Sequence, residues 1–486
     1  MRLFGRKPSI TLGSTRRFWF LGRKELTITP EQAQVHMHVL GKTGSGKSNF
    51  LANLFLKFFA AGMPVTLIDP HGDLSKLILK HLVARGVYDD PSAYDRIIYL
   101  DIPTAARRKR YLPFNFLDQP YGDHEMAELV MEAARRAWPE LATGAPTFEN
   151  ILKHSVVALR QADLPLTRLA DLLTDKPFRD RALRQGSDPQ VVRFFRGRME
   201  QWGREEATRK ESTLSRADLL TLSPVLRYSL GHRTNRLSFR EIIDSGRSMI
   251  ISLARPLPED TKRLFGCLLT VGMENAALSR ADDEDAKRRV HHLLIDEFSQ
   301  FMAQSETSLT RMLSETRKYG LFSVMAHQNW SQASDRLKGA LQNVGIEMIL
   351  KTGRMDAEYS ARLIGAVNPM EVKHVVTDDQ AEERTHPSYL SLPEQWERHV
   401  QAIQRLRVGE TFVRLPDDSV HNILTPSVPK VVVPRERLEA VRQVYLTKYF
   451  GPIEDREVLA QAGESAGPAA TIGRRPRRLG KTIFRR

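Results

Sequence analysis

Eight consecutive residues, Gly41-Lys42-Thr43-Gly44-Ser45-Gly46-Lys47-Ser48, match the phosphate-loop pattern G-x-x-x-x-G-K-[S/T] in full. Glycines at this spacing let backbone N–H groups turn inward onto phosphate oxygens, and a helix starting here presents its positive N-terminus to the same oxygens. The chemistry this predicts is nucleotide binding, with ATP as the expected ligand. Lys47 would reach the β- and γ-phosphates, Ser48 would give its hydroxyl to Mg²⁺, and Asn49 would close the run of residues lying against the nucleotide.

A phosphate loop alone hydrolyses nothing. The metal needs a carboxylate at the end of a neighbouring strand, and the attacking water needs a group to orient it. The run His292-Leu293-Leu294-Ile295-Asp296-Glu297 supplies both: the apolar strand would deliver Asp296 to Mg²⁺, and Glu297, one residue further, would polarise the water. A later apolar run, Leu321–Ala326, ends in His327-Gln328-Asn329. Polar groups at the carboxyl edge of a parallel sheet lie where ligands bind in open α/β folds, so Gln328 is the candidate γ-phosphate sensor. His327 is read as a structural histidine. Asp69-Pro70-His71-Gly72-Asp73 reads either as a turn or as a place where Asp69 supports the site from behind.

These residues need elements to carry them. Val35–Leu40, Pro64–Ile68 and Arg96–Leu100 read as apolar strands, with a helix over Asn49–Ala61 between the first two, and a short hairpin is expected from 18–21 against 26–29. Strand, helix, strand at this spacing predicts a buried parallel sheet. From about residue 123 to 230 the texture becomes helical, with runs at Glu125–Trp138, Thr147–Ala162 and Gln190–Trp202. Strand texture then returns at Ser248–Leu253, His292–Ile295, Leu321–Ala326 and Glu347–Leu350. Ser48 and Asp296 lie 248 positions apart, far more than a nucleotide-binding core needs. The predicted fold is therefore α/β, a RecA-like phosphate-loop ATPase core with a mostly parallel sheet, carrying an all-helical insertion. The expected divisions are a basic arm at 1–24, core at 25–122, insertion at 123–235, core at 236–425, and a linker, helix and basic tail at 426–486.

Composition narrows the setting. The chain has 486 residues, 41% of them hydrophobic and 27% charged, which is ordinary for a globular protein and excludes bulk disorder or a collagen-like chain. A single cysteine excludes an intramolecular disulfide and a Cys-rich zinc site. No run of about 18 apolar residues is present and no secretory signal is recognisable, so a cytoplasmic protein is expected. Net charge is +15, but residues 1–24 and 474–486 each hold seven Arg or Lys and no acid. Removing those fourteen leaves about +1 for the body. The two ends read as arms that contact a polyanion, nucleic acid or anionic lipid head groups.

Taken together, Val39–Ser48, Ile68-Asp69-Pro70-His71-Gly72-Asp73-Leu74, Leu294–Phe298, and Arg317-Lys318-Tyr319-Gly320-Leu321 running to Ala326-His327-Gln328 resemble the HerA/FtsK class of phosphate-loop motor ATPases. Within it they are most similar to TraG-like coupling proteins of conjugation and type IV secretion and their soluble relatives, over about residues 30–425. The resemblance implies a ring, usually a hexamer, with ATP sites between subunits and DNA in the central channel. It implies an arginine acting in trans, with Arg317 the first choice and Arg354 the second. It also implies a relaxase, nuclease or secretion-channel partner. Typical TraG-like proteins begin with transmembrane helices. Here a basic, aromatic-containing arm stands instead, which favours a soluble translocase or one making peripheral membrane contact. The function expected is ATP-dependent DNA translocation. A secretion ATPase that never grips DNA and a nucleotide-gated DNA-processing adaptor are the alternatives.

Overall fold

Short runs rich in Val, Ile and Leu, buried on both faces, form the parallel centre of the molecule. In chain order the strands are β1 (Ile10–Thr15), β2 (Lys24–Ile28), β3 (Met37–Leu40), β4 (Val65–Asp69), β5 (Ile97–Asp101), β6 (Arg110–Tyr111), β7 (Ser248–Ser252) and β8 (His291–Ile295). They continue with β9 (Leu321–His327), β10 (Ile346–Leu350), β11 (Val372–Thr377), β12 (Thr385–Tyr389), β13 (Glu410–Arg414), β14 (Val420–Leu424) and β15 (Gly451–Pro452). The computed structural model describes residues 9–15, 24–138, 140–141, 145–184, 188–281, 283–284, 288–302, 312–333, 335–377 and 385–452. Most of the N-terminal basic arm and the whole basic tail lie outside them.

Eleven strands share one sheet in the order β2-β1-β14-β13-β10-β3-β9-β8-β4-β7-β5. From β10 to β5 every pairing is parallel, and from β10 through β13, β14 and β1 to β2 every pairing is antiparallel. The expected mostly parallel sheet is therefore present, with an antiparallel extension at one edge. β2 pairs with β1, and residues 18–21, the other half of the expected hairpin, lie outside the described residues. β1 was not foreseen, because ITLGST carries little apolar weight of its own and is fixed by pairing with β2 and β14.

The helix after the phosphate loop, α1 (Lys47–Ala60), begins two residues before the sequence suggests and buries Phe50, Phe55 and Phe58. At roughly 1.5–3 kcal/mol per buried side chain, these three anchor it firmly to the sheet. It stops at Gly62, whose φ of 71° lets the Met63 amide reach back to the Phe58 carbonyl at 2.9 Å, a Schellman closure. Its neighbour α2 (Asp73–Ala84) follows β4.

Between 123 and 230 the described residues are helical and turn structure without a strand. The run 190–202 is helical throughout but changes pitch: the short α-helix Pro189–Arg193 passes into a π-helical turn, Phe194–Met199, and then the 3-10 stretch Glu200–Glu205, whose Gly203, with φ 51°, lies just past the run. The helices Asp123–Ala137 and Glu259–Leu278 are locked by a buried fork in which Arg136 donates to both Glu274 oxygens at 2.8 and 2.7 Å. After β14, residues 425–434 form a strap carrying Pro426, Pro429 and Pro434, and the helix Arg435–Tyr449 docks on β5, where the Tyr445 hydroxyl donates to the Ile97 carbonyl at 2.7 Å. Among the described residues no helix is long and apolar enough to cross a membrane.

Candidate functional site

β3 delivers the phosphate loop to the carboxyl edge of the sheet, where its start is tied to both neighbours. The Gly41 amide donates to the His327 carbonyl at 3.2 Å and the Lys42 amide to the Lys351 carbonyl at 3.1 Å. Gly44 and Gly46 take φ values of 80° and 104°, left-handed conformations that favour glycine. A Cβ on Gly46 would stand 2.9 Å from the Gly409 nitrogen, and one on Gly41 would stand 2.5 Å from Ser45 Oγ. The first intrahelical bond of α1 runs from the Phe50 amide to Gly46, so the amides of Lys47, Ser48 and Asn49 form its free N-terminal turn. No acidic side chain sits in that turn.

β8, two strands away, delivers Asp296 and Glu297 to the same edge. The Lys47 ammonium donates to Glu297 Oε1 and lies 3.5 Å from Asp296 Oδ1, all three side chains being nearly buried. Gln328, just past β9, completes the cluster: its amide donates to Glu297 Oε1 at 3.0 Å and its oxygen accepts from the Thr43 hydroxyl at 2.9 Å. Burial pushes the Asp296 carboxyl up to about 6; the Lys47 charge pulls it down, and Glu297 and Asp69 add to the rise. Glu297 has φ 50°, a left-handed conformation held at a cost of order 1–3 kcal/mol, while the Phe298 amide is fixed to the Ala326 carbonyl at 3.0 Å.

The structure thus brings Thr43, Lys47, Asp296, Glu297 and Gln328 together, and Ser48 lies exposed on the first turn of α1. It does not bring in either arginine. Arg317 is exposed, four residues before β9 begins, at the opposite end of a seven-residue strand, roughly 20 Å from the Gln328 edge. Arg354 follows β10 and lies on the phosphate-loop edge, half exposed, its guanidinium forked onto Glu397 at 2.7 Å twice and bonded to Glu358 at 2.6 Å. Those hydrogen bonds, to Glu397 first and then Glu358, hold its pKa above the ordinary arginine value.

Three details correct or extend the reading of the sequence. The Asn49 side chain turns away from the loop: its amide donates to the Pro426 carbonyl at 3.0 Å and accepts from the Val428 amide at 2.8 Å, leaving only its backbone N–H for a nucleotide. Asp69 does both things the sequence allowed: its carboxylate holds the turn by accepting four bonds of 2.7–2.9 Å from His71, Gly72 and Ser75, and its charge acts on Asp296 from behind. Gly409 was not singled out: its amide donates to the Ser45 carbonyl at 2.9 Å, so the β13 strand start braces the loop from outside. A glycine ahead of a strand gives no local sign of such a contact. Beside this brace, Gly46, Asn49, Gly409, Thr425, Pro426 and Glu25 help line an open cleft of about 610 Å³.

A phosphate loop on β3, paired acids on β8 and a polar residue after β9 define a phosphate-loop NTPase of the RecA-like kind. Residues 23–425 match the family described as the type IV secretion-system coupling protein DNA-binding domain, and the chain belongs to that family. No match is found among the curated protein sequences. Among solved structures, the plasmid coupling protein TrwB in complex with ADP and Mg²⁺ is 17% identical, covering 85% of this chain and 89% of its own, with a TM-score of 0.54. TrwB with a non-hydrolysable ATP analogue is 18% identical over 84% and 89%, with a TM-score of 0.54. VirB4 of Thermoanaerobacter pseudethanolicus is 13% identical over 87% and 98%, with a TM-score of 0.55. These likenesses establish the shared fold.

Proposed function

We propose that this protein is an ATP-driven motor of the coupling-protein type that moves DNA, working as a ring, with a hexamer the expected form. The observation that carries the reading is the convergence of Lys47, Asp296, Glu297, Gln328 and Thr43 beside the free N-terminus of α1. Lys47 and the loop amides would hold the phosphates, Glu297 would orient water, and Gln328, bonded to both Thr43 and Glu297, would report whether the γ-phosphate is present. TrwB is described in complex with ADP and Mg²⁺ and with analogues of ATP and GTP, which supports nucleotide and Mg²⁺ use here.

The donor set suits the metal. Ser48 and Asp296 offer a hydroxyl and a carboxylate, the hard oxygen ligands that Mg²⁺ takes one or two of alongside phosphates and water. Among the described residues there is no cluster of three or more His, Cys, Asp or Glu able to hold a metal by itself. Bound there, Mg²⁺ would neutralise phosphate charge.

Neither arginine joins the cluster within one chain, so a charge-stabilising arginine would come from a neighbouring copy. Arg317 and Arg354 both stand exposed and are the candidates. The basic arms would add salt-sensitive, sequence-independent affinity for phosphates. A relaxase, nuclease or secretion channel is the kind of partner such a motor would serve.

The test is the ATPase rate without nucleic acid, with single strands and with duplex, at two salt concentrations. Stimulation that weakens with salt is expected. Turnover unaffected by either nucleic acid would replace DNA by a protein cargo, and tight ATP binding without turnover would make the chain a nucleotide-gated adaptor.

A further inference from the structure

Directly beneath the phosphate loop, three of the central strands carry ionisable side chains where a parallel sheet ordinarily packs Val, Ile or Leu. Glu347 on β10 pairs in register with His38 on β3, and His327 ends β9 two residues beyond the register partner of His38, so all three face the same side of the sheet. All are fully buried. His38 Nδ1 lies 2.6 Å from Glu347 Oε1, and its Nε2 lies 3.2 Å from His327 Nε2. The His327 ring stacks on Phe298, the residue after Glu297, with centroids 5.0 Å apart and an angle of 18°. Trp330 lies edge-on to the same ring, and its indole donates to Ser360 at 3.0 Å.

Stability does not explain such a chain. Replacing a buried ionic or polar set with apolar residues of similar volume is often neutral or stabilising, whereas a hydrogen-bonded polar set fixes one arrangement among many. His327 is where that arrangement is read out. Its carbonyl receives the Gly41 amide that starts the phosphate loop, its ring packs on the residue after the strained Glu297, and the next residue is Gln328, bonded to Thr43 and Glu297.

We propose that Glu347, His38 and His327 form a buried positioning relay that sets the end of β9, and with it Gln328 and Glu297, for hydrolysis. The inference rests on the ATPase reading above. The order of the protons gives the relay a direction. An ionised Glu347 requires a proton on His38 Nδ1, and the bond between the two Nε2 atoms then needs a single proton between them. An amide at position 347 can instead donate to Nδ1, which forces the His38 proton onto Nε2 and reverses the bond to His327. All three are fully buried in the sheet behind the phosphate loop, so they are positioning residues rather than catalytic ones.

The experiment measures kcat, KM and ATP affinity for wild type, Glu347→Gln, His327→Phe and His327→Gln, with Glu297→Gln as the inactive control and thermal melts for all. His327→Phe keeps the ring on Phe298 and removes the hydrogen bond; His327→Gln keeps a polar atom near Nε2 and removes the ring. The expected result is a loss of about tenfold or more in kcat for Glu347→Gln and His327→Phe, with nucleotide affinity within about threefold, and partial rescue by His327→Gln. Glu347→Gln changes almost no volume, so it stays informative if a His327 variant folds poorly. Wild-type kcat in Glu347→Gln, or activity retained by His327→Phe and lost by His327→Gln, overturns the relay and leaves ring packing as the role of His327. A wild-type protein that fails to hydrolyse ATP overturns the ATPase reading itself, which the wild-type arm reports separately.

Discussion

At the scale of single residues, the site turns on Lys47 standing between two buried carboxylates. Its bond to Glu297 and its approach to Asp296 neutralise charges that burial alone would penalise. Lys47→Ala should therefore do two things: abolish hydrolysis, and destabilise the fold by roughly 3 kcal/mol, because Asp296 and Glu297 would face each other without a cation. A variant with normal melting would show that the acids are more hydrated than their burial indicates. Glu297→Gln should still bind ATP while turnover falls by about 10² or more, the usual contribution of a positioned base. Near wild-type turnover would remove Glu297 from that role. The glutamine would also have to hold a φ of 50° at position 297, so a crystal structure of this variant should show the turn unchanged.

At the scale of elements, the phosphate loop is held as much from outside as from β3. Gly409, with φ 80°, bonds the Ser45 carbonyl, accepts from the Thr425 amide at 2.8 Å, and leaves a Cβ only 3.2 Å from Thr425 Oγ1. Gly409→Ala should cost about 1–3 kcal/mol of strain and weaken ATP binding by about tenfold, checked by calorimetric titration beside a melt. Lowered melting with unchanged affinity would confine Gly409 to the fold. This contact also shows where sequence legibility ends. The phosphate loop, the Asp296-Glu297 pair and the apolar strands could be read because each signal is local: a spacing, a run, a strand end. The bonds from Gly409 to Ser45 and from Asn49 to Pro426, and the antiparallel seat of β1, join positions hundreds of residues apart or depend on a partner strand, so no window of sequence contains them. The 190–202 run is helical as read, but its passage from α to π to 3-10 turns leaves no mark in the side-chain periodicity.

At the scale of the whole molecule, buried histidines set an acid limit. Burial holds His36 and His292 down to about 4 and His291 to about 3, against about 6.5 in the unfolded chain. Because these folded-state values are depressed, the fold keeps the neutral rings. As pH falls below 6.5 the unfolded chain takes up protons that the fold refuses, and stability is lost down to about pH 4. Asp296, raised to about 6, works the other way between 6 and its ordinary value and offsets part of the loss. Urea melts at pH 7.5 and pH 5 should differ by several kcal/mol in favour of pH 7.5. Equal stability at the two values would mean that the three rings are hydrated in the folded protein or take up protons as readily as in the unfolded chain.

The strap of residues 425–434 has a mechanical consequence. Ten residues stiffened by three prolines reach about 31 Å at the extended rise of about 3.1 Å each. The flat width from β14 to β5 is eight strand steps, about 38 Å at roughly 4.8 Å apiece. The strap leaves from the first of these strands, is pinned near its start by Asn49, and continues into the helix that docks on the last. It therefore acts as a tie-rod: β14 and β5 can twist toward each other but cannot spread apart beyond the reach of the strap and its helix.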